Sequence, residues 1–554
     1  MSRIRPAYQS RLEAVRETFW QLVHAEWTKL RSVRGWVISL ALGVALTIGL
    51  GVLSASGTRT MDNGKPVGPK GAPYLPTGPG GEAVADTYYF VHQSLASDGT
   101  ITARVTSLAA ASFPVGGQNC PRGTLRGTPP PFGAQHCVKA SGNESAPSPS
   151  GLQPWAKAGL IVTASTRQGS SYAAVMVTPG HGVRMQWDYT YDRAGLPGVV
   201  SAASPRWLRL KRSADSVTAL DSTDGKHWTT IGSAVLAGLP STVQVGLFVA
   251  APQVTVSQSS VGGRTGVTNP SLATATFDDV TILPHGGGGA WRAGQVAPKN
   301  PITAGYASLA GGATRSGDTF LVSGSGDIAP AVGGPAAAGV PLETALVGSF
   351  LGLLVIVVLA TLFVTGEYRR GLIRTTLAAR PRRGQVLAAK AVVISLVSFV
   401  VGLVAFAPAI AIGRSILRSN GNFIYPVSVL TQIRLVVGLS LVLAVGAVLA
   451  LSIATIARRG AGVIAGLIVA FVLPQFLAGS AIVPDGPAEW LLRITPAAGF
   501  AIGLSLPRYF QVSSVYTPAY GYYPLSAWAG FLVLCAYAAA ALGLAAYLFR
   551  RRDA

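Results

Sequence analysis

The sequence predicts an α-helical polytopic membrane protein with six transmembrane helices and a large extracytoplasmic all-β sandwich domain of the jelly-roll kind. Only 12% of the 554 residues are charged and 49% are hydrophobic, whereas soluble proteins carry about a quarter charged residues. Six apolar runs are long enough to cross about 30 Å of hydrocarbon. Short segments of alternating polarity fill the long interval between the first two runs, which is typical of β-strands.

The six apolar runs set the boundaries of the predicted spans. The first is a transmembrane helix within residues 35–56, and the other five lie within 342–552. The apolar runs themselves are residues 36–54 and roughly 345–364, 388–412, 435–457, 461–482 and 527–549.

The distribution of Lys and Arg predicts the orientation of the spans. Basic residues cluster before the first span, after the second, between the fourth and fifth and after the sixth. The positive-inside rule then places both termini in the cytoplasm and residues 57–341 outside a plasma membrane. Net charge is +22, but we find no nucleic-acid-binding signature, so lipid anchoring explains the charge better.

Residues 1–34 are predicted to form a cytoplasmic interfacial amphipathic helix. Apolar residues recur at helical spacing from Arg11 to Leu30, with charges between them. A charged leader of this length is longer than that of a usual signal peptide, so we expect an uncleaved first span.

The large external segment divides into a Gly/Pro-rich linker over 57–83, a β-sandwich over 84–284 and a Gly/Ala-rich linker over 285–341. Cys120 and Cys137 lie within it and are candidates for a disulfide if the segment is extracytoplasmic. The cysteine and histidine spacing predicts no metal site.

Four short segments carry a resemblance to a known fold. They are residues 98–105 (DGTITARV), 156–162 (AKAGLIV), 243–250 (VQVGLFVA) and the turn 222–228 (STDGKHW), whose Trp228 we expect to be buried. The segment resembles the concanavalin-like (laminin-G-like) sandwiches, which often bind glycans. Trp187, Tyr189 and Tyr191 are then candidate sugar-stacking residues, or they simply fill the core and rim of the sandwich.

Motifs for enzymatic chemistry are missing from the sequence. We find no phosphate-binding loop, no nucleophile elbow and no His-Glu-x-x-His motif. The spans hold almost no acidic residues, which disfavours a proton-driven or sodium-driven transporter. The chain is therefore predicted to have no enzymatic activity of its own.

The stretch from Gly366 to Lys390 (GEYRRGLIRTTLAARPRRGQVLAAK) is the most informative part of the chain. Together with residues 24–32 (HAEWTKLRS) and 489–506 (EWLLRITPAAGFAIGLSL), it resembles the permeases of ABC transporters of the type-2 exporter class. In such permeases 366–387 corresponds to a cytoplasmic coupling segment and 485–507 to external re-entrant helices.

The resemblance implies a permease subunit of an ATP-driven exporter that works as a homodimer or heterodimer. A separate cytoplasmic ATPase would bind ATP and Mg²⁺, and this chain would bind no cofactor. The alternative is a membrane-anchored extracellular glycan-binding or sensing protein. Composition favours a bacterial source.

The resemblance also implies which residues are functional. The implied interfacial-helix residues are Glu26, Trp27, Lys29 and Arg31, and the implied coupling residues are Glu367, Tyr368, Arg369, Arg370, Gly371, Arg374, Pro381, Arg382 and Arg383.

Overall fold

A computed structural model of the chain describes most of its residues. They are 18–59, 61–62, 65–66, 74–110, 152–260, 263–284, 290–297, 310–332, 339–372, 382–480, 483–512 and 516–551. Four residues singled out from the sequence lie outside these ranges: Cys120, Cys137, Arg374 and Pro381.

The described helices confirm the prediction of six spans. Six helices are long and apolar enough to cross a membrane, whereas α1 and α7 are short. The bounds are α1 Phe19–Ser32, α2 Arg34–Gly57, α3 Ser349–Arg369, α4 Arg383–Ser419, α5 Val429–Ala457, α6 Gly460–Gly479, α7 Asp485–Ile494 and α8 Ala527–Arg551. Two 3₁₀ segments, Leu342–Leu346 and Pro496–Gly503, precede α3 and follow α7.

Helix α5 lies at the centre of the bundle. In its most apolar stretch 67% of the residues are buried, against 17% in α2 and α8, which form the periphery. Helices α4 and α5 approach closely at Gly402, where an added Cβ would lie 2.7 Å from the Cα of Ser440. Small residues permit such close packing between helices in lipid.

The described residues between α2 and α3 form mainly β-strands. Two antiparallel sheets of seven strands each form a sandwich, as predicted. The strands are β1 Met61–Asp62, β2 Lys65–Pro66, β3 Val84–Asp86, β4 Tyr88–Leu95, β5 Gly99–Ala110, β6 Lys157–Thr163, β7 Tyr172–Thr178, β8 Gly182–Trp187, β9 Tyr191–Ala194, β10 Arg206–Ser213, β11 Ser216–Ser222, β12 Thr229–Val235, β13 Val243–Ala250, β14 Val254–Ser260, β15 Gly263–Asn269, β16 Ala273–Leu283, β17 Arg292–Val296, β18 Gly312–Ser316, β19 Thr319–Gly324, β20 Ile328–Pro330, β21 Gly339–Val340 and β22 Phe423–Ile424.

The two sheets differ in how they are covered. Sheet I has the order β12-β11-β10-β5-β16-β19-β18, and sheet II has the order β17-β4-β13-β6-β7-β8-β9. Strand β10 alternates between buried and exposed residues, as expected for a strand with one face on a core. Strands β6 and β7 are buried at every position. Sheet II is therefore covered on both faces, by sheet I and by an outer cluster that includes Val84 and Ile328.

Two sequence predictions for this region need correction. Residues 285–341, predicted as a linker, contain strands of both sheets, because β17 pairs with β4 and β19 pairs with β16. The described strands in this region are short, and their partners β4 and β16 are distant in sequence. Trp228, expected to be buried, is half-buried on the surface, where the Arg209 guanidinium lies 3.8 Å from its ring centre.

Within the part of the chain that the structure describes, the sandwich contacts the helical bundle at two places. At the first, β21 pairs in parallel with β22 from the α4–α5 connection, and the hydroxyl of Tyr425 donates to the carbonyl of Val332 at 2.9 Å. At the second, the side chain of Gln511 donates to the carbonyl of Tyr189 at 2.6 Å. Because Tyr425 and Gln511 are both 2% exposed, these hydrogen bonds are shielded from water.

The substitution Tyr425→Phe tests the first contact. It leaves the buried carbonyl of Val332 without its donor, and we expect a cost of about 1 kcal/mol. Amide exchange in residues 328–332, measured by mass spectrometry, should become about five-fold faster. The exposed Tyr191→Phe is the matched control and should leave this exchange unchanged. Equal rates in the wild type and Tyr425→Phe would contradict the contact.

Candidate functional site

One buried stripe of α1 contains a carboxylate among apolar residues. Leu22, Glu26 and Leu30 are each four residues apart and are buried together, so they share one face of the helix. Leu22 packs on Val386 and Ala389 of α4. Packing of this stripe against α4 carries Glu26 into the interior, where it is 0% exposed.

The ammonium of Lys390 lies at the centre of an ion cluster that joins three helices. Its Nζ is 2.7 Å from Oε2 of Glu26 in α1 and 2.7 Å from Oε1 of Glu367 in α3. Lys29 also reaches both carboxylates, at 2.8 Å for Glu26 and 3.3 Å for Glu367. We call these four residues, Glu26, Lys29, Glu367 and Lys390, the ion cluster.

The ion cluster has no net formal charge. Its two carboxylates face two ammonium groups, and the Lys390 Nζ also lies 4.7 Å from the ring centre of Phe363. Isolated charges in such an environment cost several kcal/mol each, and the carboxylates of Glu26 and Glu367 offset this cost for Lys390. The cluster therefore holds α1 against the bundle and sets the register between α3 and α4.

Lys29 forms the exposed edge of the ion cluster, with 44% of its side chain accessible. Burial lowers the pKa of Lys29, but the hydrogen bond and charge of Glu26, followed by the charge of Glu367, outweigh it and raise the pKa overall. The Oε2 of Glu367 is buried and has no hydrogen-bond partner among the described residues. Glu367 also lines a cavity of about 10 Å³, which is about the smallest volume that holds one water molecule.

The predicted coupling residues around Glu367 divide into buried and exposed ones. Glu367 is 9% exposed and Tyr368 is partly buried, with the Arg458 guanidinium 5.5 Å from its ring centre. Arg369, Arg370 and Gly371 are exposed. Gly371 has φ +69°, and its N–H donates to the carbonyl of Tyr368, so glycine ends the helix here in the usual way.

The chain returns to the bundle at Arg382 and Arg383. Arg382 is exposed, and Arg383 begins α4 and donates to the carbonyl of Phe549 at 3.4 Å. Arg550 lies close to Gly384 at the same end of the bundle. Among the residues of α1 predicted to be interfacial, Trp27 and Arg31 are exposed, while Glu26 belongs to the ion cluster.

The sequence analysis and the structure differ at two residues, Glu367 and Lys390. Glu367, which the resemblance implies to be a coupling residue, points inward and is paired with Lys390 and Lys29 of the same chain. The residue that sequence analysis missed is Lys390, which appeared there only as the last residue of the stretch that begins at Gly366. Its signal was available, because a Lys in an apolar helix requires a partner.

The three candidate sugar-stacking aromatics do not share one exposed surface. Tyr189 is 1% exposed, and its hydroxyl donates to Asp86 at 2.8 Å, so it belongs to the core that covers sheet II. Trp187 and Tyr191 stack on each other with ring centres 5.1 Å apart. Of this pair, Tyr191 is the more exposed at 54%. Sugar stacking therefore remains a prediction for Trp187 and Tyr191 alone.

Asp86 is a buried carboxyl that holds the outer layer on sheet II. Its Oδ2 accepts hydrogen bonds from Tyr189 and from the backbone N–H of Gly169, both at 2.8 Å. Burial raises the pKa of Asp86 to about 6, although these two hydrogen bonds oppose the shift. Among the residues that the structure describes, no group of three or more potential metal ligands occurs.

Comparison with known proteins identifies a family for most of the chain. A family model described as "ABC-2 family transporter protein" matches residues 132–554. No curated protein matches the chain.

Among solved structures, the chain is similar to a scytalido-glutamic peptidase with a transition-state analogue inhibitor, at 10% identity and a TM-score of 0.24. That match covers 43% of this chain and 98% of the peptidase. It is also similar to a functionally unknown protein from Saccharomyces cerevisiae, at 13% identity and a TM-score of 0.21, over 41% of this chain and 91% of that one. Likenesses this weak carry no argument about function.

The substitution Lys390→Met tests the ion cluster. It leaves two carboxylates with only the half-exposed Lys29, and we expect a loss of about 3–5 kcal/mol in stability. The measurement is the thermal midpoint of the detergent-solubilised protein, with the exposed Lys211→Met as control. The double variant Glu26→Gln, Lys390→Met removes one charge of each sign and should recover part of the loss. A double variant no more stable than Lys390→Met would contradict the charge balance.

The substitution Asp86→Asn tests the buried carboxyl of the sandwich. Because its pKa is raised in the folded state, Asp86 supports folding most below about pH 4, and that support is lost as the pH rises to about 6. In the wild type, the free energy of local opening around residues 167–172 should therefore fall by roughly 1–3 kcal/mol across this range. Hydrogen exchange, corrected for its intrinsic pH dependence, measures it. The difference in this free energy between Asp86→Asn and the wild type isolates the contribution of the Asp86 carboxyl. Parallel pH profiles for the two proteins would contradict the prediction.

Proposed function

The chain belongs to the ABC-2 family of transporter proteins, and from that premise we propose that it is the permease subunit of an ATP-driven exporter, coupled to a separate ATPase chain. Energy from another chain is needed because the 554-residue sequence contains no phosphate-binding loop. Gly64-Lys65 is followed by Pro and Gly225-Lys226 by His, so neither continues as that motif requires.

The single observation that carries the coupling proposal is the ion cluster. Glu367 stands three residues before the exposed Arg370, at the end of α3, and Lys390 lies seven residues after Arg383, near the start of α4. The segment between these ends is thus anchored to two spans and to α1 through one buried set of charges. A partner that pushes on this segment would move α3 and α4 together.

The exposed arginines at this end of the bundle supply the contact surface in the proposal. Arg369, Arg370 and Arg382 are solvent-accessible, and guanidinium groups suit carboxylates on a partner protein. Glu367, in contrast, acts as a positioning residue within the ion cluster. ATP and Mg²⁺ would bind to the partner ATPase, where they drive its closure.

The orientation in the proposal follows from the charge distribution. The basic α3–α4 connection, the Arg458-Arg459 turn and the C-terminal arginines are all at the end of the bundle that holds the ion cluster. The positive-inside rule makes this end cytoplasmic, so the sandwich lies outside the cell. The exporter is proposed to act as a dimer, because the translocation path of such a permease forms between two subunits.

Co-purification tests the proposal. The tagged full-length protein is extracted from its native membrane in mild detergent, and quantitative mass spectrometry identifies the chains that accompany it. We expect a stoichiometric chain with a phosphate-binding loop. Arg370→Glu should reduce its recovery about five- to tenfold, because it places a like charge opposite the partner's carboxylates.

Arg418→Glu is the matched control, since Arg418 is exposed near the other end of α4. It should leave ATPase recovery unchanged. Equal losses in both variants would place the contact elsewhere. The absence of any ATPase, under conditions that keep other membrane complexes intact, would overturn the proposed function.

A further inference from the structure

A cavity of about 480 Å³ lies at the end of the bundle opposite the ion cluster. Residues near the starts of α5 and α8, together with residues 504–508 and the 516–526 segment, form its wall. This volume is within the range of small-molecule binding sites. The residues that the argument uses are Arg434, Glu489, Arg508, Tyr516, Tyr522 and Tyr523.

The charges around the cavity favour an anion. Glu489 is already paired with Arg493 at 2.9 Å, and the carboxylate of Glu343, near Arg434, accepts from the backbone N–H of Ser505 at 3.2 Å. Among the described residues that line the cavity, Arg434 and Arg508 stand against Glu489, which leaves one positive charge.

Arg434 has hydrogen-bonding capacity left for a ligand. One terminal nitrogen of Arg434 donates to the carbonyl of Leu504, while its Nε is buried and has no partner among the described residues. The guanidinium group carries five N–H donors in a planar fork that matches a phosphate or a carboxylate.

Tyrosine rings form a wall beside these charges. Tyr516 and Tyr522 meet edge to face, with ring centres 4.9 Å apart, and Arg508 lies 5.4 Å from the Tyr516 ring centre. The hydroxyl of Tyr516 accepts from the Tyr509 N–H at 2.9 Å, and that of Tyr523 accepts from Gln475 at 2.7 Å. These hydrogen bonds hold the rings in place.

The cavity opens where two spans begin, next to apolar side chains that face outward. Leu430 in the first turn of α5 is 78% exposed, and Trp528 in the first turn of α8 is 55% exposed. Trp at the end of a span is typical of the membrane–water interface. A ligand with its charged group in the cavity could thus place its remaining atoms against this apolar surface.

We propose that this cavity binds an anionic amphiphile, with its phosphate or carboxylate group on Arg434 and Arg508 and its apolar part along Leu430 and Trp528. A membrane lipid and a soluble anion could both supply the charged group. The exposed apolar residues at the ends of α5 and α8 favour the lipid. The proposal concerns binding to this chain alone and does not depend on the ATPase.

A binding titration of the full-length protein in non-ionic detergent tests the proposal. The probes are dihexanoyl-phosphatidylglycerol, which is anionic, dihexanoyl-phosphatidylcholine, which is zwitterionic, and inorganic phosphate. We expect the phosphatidylglycerol to bind at least tenfold more tightly than the other two. Arg434→Gln and Arg508→Gln should each weaken its binding at least fivefold, while Arg418→Gln, outside the cavity, should change it less than twofold.

Arg508 is exposed and, among the described residues, makes no backbone hydrogen bond of the kind that Arg434 makes, so its variant keeps the test valid if Arg434→Gln does not fold. Three results would overturn the proposal. In the first, the two dihexanoyl lipids bind equally well, so the charge is not recognised. In the second, inorganic phosphate competes as strongly as the lipid, so the site takes a free anion. In the third, Arg508→Gln binds the phosphatidylglycerol as the wild type does.

Discussion

Neutralisation of one buried ammonium group determines how the membrane part is arranged. Lys390 lies in an apolar helix, where a buried ammonium requires a carboxylate partner, and Glu26 and Glu367 both approach it at 2.7 Å. That requirement fixes α1 beside α4 and brings the last turn of α3 to the same point. The amphipathic helix before the first span and the segment after the second, which are more than 300 residues apart in sequence, thus form one site.

Helix α4 extends from this site toward the opposite end of the bundle. Its 37 residues correspond to a rod of roughly 55 Å. Near one end it carries Lys390, and just beyond the other end the side chains of Asn420 and Asn422 donate to the carbonyl of Thr58 at 3.2 and 2.8 Å. The same connection supplies Tyr425 and β22 to the sandwich. The ion cluster therefore lies near one end of α4, and the sandwich contacts the connection that follows its other end.

Sequence patterns predicted the helices and strands better than they predicted which elements and side chains contact each other. Length and hydropathy were sufficient for six spans, because a helix in lipid satisfies its own backbone, and alternation was sufficient for a sandwich. Pairing depends on tertiary contacts, so the inward position of Glu367, the burial of Tyr189 and the identity of the partners of Lys390 could not be read from local sequence. The strands within 285–341 were missed because Gly-rich and Ala-rich segments have weak strand propensity, and their pairing with β4 and β16 stabilises them.

The order of strands in the two sheets has a consequence for biosynthesis. Strand β4 is among the first to be made, yet its partner β17 follows it by about 200 residues, and β5 pairs with β16 across about 170. At about 5–20 residues per second, roughly 10–50 seconds of translation separate β4 from β19, which completes the pairing of β16 in sheet I. For that interval the nascent sandwich has open strand edges. Polar residues in the early strands, or a chaperone, must then prevent these edges from pairing with strands of other chains.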